Sequence, residues 1–133
     1  FLPRDLAARV PVMEWLMWQM GGFGPMPGQV HHFLMQPEGP ARDYGFKRYH
    51  TETKRLYGVL NKRLADREFI AGDSYTIADM ASYPWIVPHE RQGQKLEDFP
   101  HLQRWFEAVK ARPATVRAHE KGKSLNTQPS VTE

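Results

Sequence analysis

Apolar residues recur every three or four positions along most of the chain, which is the period of an amphipathic α-helix. The first such stripe contains five apolar side chains: Leu6, Val10, Met13, Met17 and Met20. The other side of this helix is also apolar, because Val12, Trp15 and Trp18 lie roughly 100° or more from the stripe at about 100° per residue. A first helix with two apolar faces predicts that one face belongs to an interface.

A segment rich in glycine and proline follows this first helix, from Gly21 to Gly28. Glycine raises the free energy of a helix, and proline removes a backbone donor. The segment therefore predicts a break or a kink. A polar loop that contains proline follows, around residues 36–42.

The clearest helical pattern in the chain lies between Phe46 and Leu64. Its apolar and aromatic side chains, with one threonine, repeat at three and four positions: Phe46, Tyr49, Thr53, Leu56, Tyr57, Leu60 and Leu64. This spacing predicts a second long helix that turns one face to the core.

A third helix begins at Thr76, where the sequence has the spacing of a capping box. Thr76 is placed to accept a hydrogen bond from the amide of Asp79, and Asp79 is placed to reach back to the cap amide. We therefore interpret Asp79 as a folding element and not as a catalytic carboxylate. The residues behind the cap, from Met80 to Val87, are apolar almost all round and predict a central, buried helix.

The last strong helical pattern starts at Pro100, since proline suits the first turn of a helix. Its core stripe is Leu102, Trp105, Phe106 and Val109. Pro113 ends this helix, and a short last helix is expected from Ala114 to Lys121. The remainder has no apolar period. The sequence thus predicts one all-α domain over residues 1–121 and a polar, flexible tail over residues 122–133.

Composition and charge narrow the function classes. The 133-residue chain has no cysteine, which excludes disulfide frameworks, thiolate zinc sites and cysteine catalysis within it. Eighteen basic and 15 acidic residues are interspersed, so the net charge of +3 indicates a mixed solvated surface, and we expect no nucleic-acid partner. No long apolar run or basic leader is present, which favours a cytoplasmic protein without a membrane contact. Because the chain begins at Phe1, we expect it to be a fragment.

Two segments carry a resemblance to a known family. Residues 72–79, GDSYTIAD, resemble the G-D-x-x-[ST]-x-A-D segment of the glutathione transferase C-terminal domain. Residues 15–33, with the tryptophans, the Gly/Pro segment and the histidine pair, look like the nu-class bacterial glutathione transferases, relatives of the yeast nitrogen-regulator prion protein. Arg48-Tyr49, Glu52-Thr53 and residues 55–57 continue the resemblance, which covers residues 1 to about 121.

The resemblance implies the helical half of a glutathione S-transferase or of a glutathione-dependent disulfide reductase. In that family an N-terminal thioredoxin-like domain holds most of the glutathione site, and that domain is missing from this chain. Glutathione is then a substrate, together with a small electrophile or disulfide, and the protein is expected to be a homodimer. We expect activity in the full-length protein and none in this fragment alone.

Arg48 is the first candidate site residue, because the resemblance places an arginine of this helix against glutathione. On a 3.6-residue helix it points roughly 130° from the centre of the Phe46 to Leu64 stripe, so it does not serve the core. The alternative is a surface ion pair with Glu52, four residues further on.

Phe23 and Met26 are the other candidate substrate-binding residues. They could form an apolar wall of the second-substrate pocket, beside glycines that permit close backbone approach. The alternative is a plain helix break with two core side chains. His31, His32 and His50 invite a metal site, but adjacent histidines on a helix point about 100° apart and no suitably spaced partner follows, so we expect none.

A second class of function stays open at this stage. Helical domains of the transferase type are also appended to translation factors and tRNA synthetases as assembly platforms. Trp15 and Trp18, which we expect to form the exposed face of the first helix, would equally well serve a non-catalytic protein-interaction module of this kind.

Overall fold

The computed structural model describes residues 1–125. Six α-helices follow one another in that part of the chain: α1 (Leu6–Trp18), α2 (Pro25–Leu34), α3 (Pro40–Arg63), α4 (Ile77–Ile86), α5 (Pro100–Lys110) and α6 (Pro113–Leu125). A π-helical turn, Gln19–Phe23, joins α1 to α2, and a 3₁₀ turn, Leu96–Asp98, precedes α5. The all-α prediction is confirmed.

Local sequence sets where these helices begin. The side chain of Asp5 accepts a 2.9 Å hydrogen bond from the amide of Ala8 and caps α1. Proline opens four further helices: Pro25, Pro40, Pro100 and Pro113. Its missing N–H costs little there, because the first turn of a helix has no intrahelical partner for its amides.

The Gly/Pro segment makes one wide helical turn instead of a loop. The amide of Gly24 donates a 2.8 Å hydrogen bond to the carbonyl of Gln19, five residues earlier, as in a π-helix. A Cβ atom on Gly24 would lie 3.0 Å from the ring of Trp85 and 2.7 Å from the side-chain nitrogen, Nε2, of Gln19. Glycine therefore lets the α1–α2 junction lie directly against α4.

The core forms where α3, α4 and α5 meet, and both stripes expected from the sequence contribute to it. On α5 the predicted core residues are all buried: Leu102, Trp105, Phe106 and Val109. On α3 the buried positions are Gly45, Thr53, Leu56, Tyr57 and Leu60, and Leu64 is buried at its end. The helix itself begins at Pro40, ahead of the pattern that predicted it.

Asp79 ties the start of α4 to the rest of the core. Its Oδ2 accepts hydrogen bonds from the amide and the hydroxyl of Thr76, at 2.9 and 3.1 Å. Its Oδ1 accepts from the amide of Ile70 and from Nε1 of Trp105, both at 2.9 Å. The capping box is present, as predicted. Helix α4 is not enclosed all round, however, because Pro84 and the residue that follows the helix, Val87, are exposed.

Helix α1 uses the face with the tryptophans for the core. Val12 is buried, and Trp15 and Trp18 are half-buried against the core cluster. The stripe of methionines, leucine and valine faces outward, with Leu6 74% and Met20 60% exposed. The expectation that the tryptophans form the exposed face is therefore wrong, and the unpartnered apolar face is the opposite one.

The end of the described chain is more helical than its composition indicates. Helix α6 continues to Leu125, so the first residues of the predicted tail, 122–125, are helical. The rest of that tail, residues 126–133, lies outside the described residues. Within residues 1–125, no helix combines the length and the apolar character needed to cross a membrane.

Candidate functional site

Two of the three predicted site residues line one concavity, where α2 lies beside α3. Met26 comes from the first turn of α2, and Arg48 comes from α3. Tyr49, Thr51 and Glu52 complete the lining of a space of about 330 Å³. The concavity thus joins apolar surface on one wall to charged and polar side chains on the other.

Close packing of α2 on α3 builds this concavity. The ring of Phe33 stacks on Tyr49 at a centroid distance of 5.6 Å. The same ring covers Gly45, where an added Cβ atom would lie 2.2 to 2.5 Å from three of its carbons. Because a methyl group has no room there, glycine at position 45 lets the two helices come together.

Arg48 presents an open guanidinium to this concavity. Its side chain is exposed, and within residues 1–125 it makes no salt bridge. Its nearest aromatic neighbour is Tyr49, whose ring centroid lies 6.0 Å from the guanidinium carbon. The surface ion pair with Glu52 that the sequence left open is therefore not formed.

Glu52 pairs with Arg55 instead. Nε and Nη2 of Arg55 donate hydrogen bonds of 2.8 and 2.7 Å to the two carboxylate oxygens. These hydrogen bonds, assisted by the positive charges of Arg55 and Arg48, outweigh partial burial and lower the pKa of Glu52 below its ordinary value. The hydroxyl of Thr51 donates to the backbone carbonyl of Lys47 at 2.8 Å.

The arrangement can bind and orient an anionic group, but it supplies no thiol. The guanidinium of Arg48 can donate two parallel hydrogen bonds to a carboxylate. Met26 and the ring of Tyr49 offer apolar surface beside it. The chain has no cysteine, so none of its own side chains supplies a thiol at this place.

Phe23 lies in the core and not in the concavity. It is fully buried, stacks on Trp18 at a centroid distance of 5.2 Å, and lies 5.8 Å from the ring of Tyr57. A side chain without exposed surface cannot line a pocket, which corrects the expectation that Phe23 forms the pocket wall. Phe23 is the last residue of the π-helical turn that precedes α2, the helix that contains Met26.

The sequence reasoning missed Tyr49, Thr51 and Glu52 as lining residues. Tyr49 belongs to the predicted core stripe of α3, and its ring also packs on Phe33. The available signal was position on the helix, because residues three and four apart share a face. Thr51 and Glu52 stand at those distances after Arg48.

The histidines do not assemble into a metal site in the part of the chain that the structure describes. Nowhere in residues 1–125 do three or more His, Asp or Glu side chains group so as to hold a metal ion. Nε2 of His50 lies 3.3 Å from the carbonyl of Gly93. Nε2 of His31 is buried without a hydrogen-bond partner, and burial, followed by the charge of Arg91, lowers the pKa of His31.

Larger concavities lie elsewhere, and two of them have about twice the volume of the concavity at Arg48. One, of about 690 Å³, is lined by the segment after α4, between His89 and Glu97. It contains none of the predicted site residues. The other, of about 640 Å³, is an apolar groove on α1, which we call the α1 groove; it is lined by Leu6, Arg9, Val10, Met13, Glu14 and Met17.

Comparisons with known proteins agree with this fold. Residues 29–113 match the family described as glutathione S-transferase, C-terminal domain. The disulfide-bond oxidoreductase YfcG of Escherichia coli is 42% identical over 118 residues, which make up 89% of this chain and 54% of that protein.

Solved structures give the same picture. A glutathione transferase from Burkholderia graminis, with two glutathione molecules bound per subunit, has a TM-score of 0.78 and 41% identity, and the match covers 92% of this chain and 53% of that one. Ure2p, a yeast prion protein, in complex with glutathione has a TM-score of 0.82 and 31% identity, with 90% and 56% covered. The chain spans about half the length of these relatives.

Proposed function

This chain belongs to the glutathione S-transferase family, whose C-terminal helical domain it forms, and from that premise we propose that it serves a glutathione-dependent disulfide reductase or transferase. The observation that carries the proposal is the open guanidinium of Arg48 in a concavity that also contains Met26. Glutathione is a peptide with two carboxylates, which such a guanidinium binds well.

Because this chain has no cysteine, we assign both reacting thiols to glutathione. In disulfide reduction, the thiolate of one glutathione attacks a sulfur of the disulfide and releases a thiolate, which takes up a proton. A second glutathione thiolate then attacks the glutathione sulfur of the mixed disulfide, which forms glutathione disulfide and releases the second thiolate, and this thiolate also takes up a proton. Because the Burkholderia graminis relative holds two glutathione molecules per subunit, it supports a site of this capacity.

We assign to this domain the binding of glutathione and of the apolar part of the second substrate. Activation of the thiol belongs to the thioredoxin-like half expected from the family, which lies outside this chain. The role of Met26 is to offer polarisable, adaptable surface to the disulfide or electrophile. The fragment alone is then inactive.

The α1 groove is the proposed dimer face. Its lining is mostly apolar, and Arg9 and Glu14 are the two charged residues in it. Two copies packed antiparallel about a twofold axis would place each arginine opposite the other copy's glutamate, as an interface between identical surfaces requires. Burial of the exposed Leu6 and Met17 would supply the hydrophobic contribution.

The proposal is tested by glutathione-dependent reduction of hydroxyethyl disulfide with the full-length protein and its Arg48→Ala variant. We expect turnover in the wild type and a raised KM for glutathione in the variant. No turnover, no glutathione binding by calorimetry and a stable heterologous partner in a pull-down would instead identify an interaction module.

A further inference from the structure

Glu52 lies between two arginines on the outer face of α3. Arg48 precedes it by four residues and Arg55 follows it by three, so all three side chains project within about 60° of one another. Either arginine is within reach of the carboxylate. Both carboxylate oxygens of Glu52 accept hydrogen bonds from Arg55, at 2.8 and 2.7 Å. Arg48 makes no salt bridge in residues 1–125.

Physical chemistry favours this choice of partner. The pair with Arg55 is bidentate, the arrangement in which an arginine and a carboxylate bind most strongly. It also has the acidic residue on the N-terminal side of the basic one, the better orientation on a helix, whereas a pair with Arg48 would have the reverse order. Glu52 thus pairs with Arg55, although Arg48 is close enough for its charge to help lower the pKa of Glu52.

We propose that Arg55 is a positioning residue, which holds the carboxylate of Glu52 and so keeps the guanidinium of Arg48 open to a carboxylate of glutathione. The inference rests on the proposed function, since it gives Arg48 that ligand. Arg55 does not itself line the concavity, whereas Arg48 and Glu52 both do. Its effect on binding therefore passes through Glu52.

Removal of Arg55 frees the carboxylate of Glu52, which is then expected to weaken glutathione binding in two ways. The carboxylate can turn to Arg48 and occupy the guanidinium that glutathione needs. Its charge, no longer neutralised by Arg55, also repels the glutathione carboxylates within the same concavity. We expect Arg55→Ala to raise the Kd of glutathione about two- to fivefold, in keeping with the modest strength of exposed charge pairs.

The experiment uses the full-length protein and glutathione itself. Calorimetry at low ionic strength, about 20 mM, limits the screening of these exposed charges. The variants are Arg55→Ala, Glu52→Gln and the double variant of both. Lys47→Ala is the matched control, because it removes an exposed positive charge next to Arg48 without touching Glu52. Circular dichroism confirms that each variant is folded.

The expected result is a loss of affinity in Arg55→Ala that Glu52→Gln reverses in the double variant, while Lys47→Ala changes the Kd less. In turnover assays, Arg55→Ala is expected to raise the KM for glutathione and to leave kcat unchanged. Equal losses in Arg55→Ala and Lys47→Ala would show that only net charge matters, and no recovery in the double variant would show that Arg55 does not act through Glu52. Either result would overturn the inference.

Arg48→Ala separates this inference from the proposed function. If Arg48→Ala leaves the Kd unchanged, the proposed function fails and the role of Arg55 fails with it. If Arg48→Ala weakens binding and Arg55→Ala does not, the glutathione site stands and only the positioning role is lost.

Discussion

Nε1 of Trp105 donates a 2.9 Å hydrogen bond to Oδ1 of Asp79, and this contact joins α5 to the first turn of α4 inside the core. Both side chains are fully buried. The carboxylate also accepts hydrogen bonds from the amide of Ile70 and from Thr76. A residue that looks like a local cap in the sequence is therefore the point where three segments of the chain meet.

Asp79→Asn is expected to destabilise the domain by about 2 to 4 kcal/mol. An amide group cannot accept on its nitrogen, so at least one buried N–H loses its partner. Urea denaturation followed by tryptophan fluorescence measures the change. Asp73→Asn, at an exposed position of the preceding turn, serves as the control. A loss below about 0.5 kcal/mol, as for ordinary surface changes, would contradict this role.

Two glycines of α3 are expected to respond in opposite ways to alanine. Gly45→Ala places a Cβ atom 2.2 to 2.5 Å from the ring of Phe33, and overpacking of this kind costs about 1 to 3 kcal/mol. Gly58 has no neighbour within 4 Å, so Gly58→Ala is expected to stabilise the helix by about 0.5 to 1 kcal/mol. Thermal unfolding of both variants checks the pair. A stabilised Gly45→Ala would refute the close contact of α2 with α3.

His31 is expected to make stability depend on pH. Burial, and then the charge of Arg91, lowers its pKa in the folded protein. Below about pH 6.5, the ordinary histidine value, the unfolded chain therefore binds the proton more readily than the folded one. The stability that neutral His31 contributes is present above that pH and is lost as the pH falls towards the lower, folded pKa.

His31→Gln is accordingly expected to flatten the decline of unfolding free energy between pH 7 and pH 5. Urea denaturation at closely spaced pH values measures it. The exposed neighbour His32 provides the control, as His32→Gln. A pH profile for His31→Gln that matches the wild-type profile would exclude this contribution.

A charged side chain in the α1 groove is expected to weaken the proposed dimer. Met17→Lys should shift the full-length protein from dimer towards monomer, because a buried ammonium without a partner is costly. Light scattering after size-exclusion chromatography gives the mass. Met35→Lys alters a methionine that is also exposed but lies outside the groove, and it should leave the mass unchanged. A dimer that persists in Met17→Lys would place the interface elsewhere.

The features predictable from the sequence were those with local causes. The capping box of Thr76 and Asp79 and the core stripe of α5 follow from spacing alone. The cap of α5 does not, because Oδ1 of Asn61 accepts hydrogen bonds from the amides of His101 and Leu102, 40 and 41 residues away. Such a contact exists only after α3 and α5 have packed.

The same limit applied to α1 and to the site. Periodicity shows that α1 has two apolar faces, but which of them packs inward depends on what α3 and α4 present to it. At the site, the resemblance indicated Arg48, and the chemistry of the Gly/Pro segment indicated Phe23 and Met26. The partner of Glu52 stayed open in the sequence, because spacings of three and four are both within reach and the side-chain geometry decides between them.

The central claim, that Arg48 receives a carboxylate of glutathione, is tested most directly by the Kd of glutathione for the full-length protein. Arg48→Ala is expected to raise this Kd about tenfold or more, since a hydrogen bond to a charged group contributes about 1.5 to 3 kcal/mol. Arg48→Lys keeps the charge but cannot donate two parallel hydrogen bonds, so its Kd is expected to lie between those of the wild type and Arg48→Ala. A Kd for Arg48→Ala equal to that of the wild type would contradict the account.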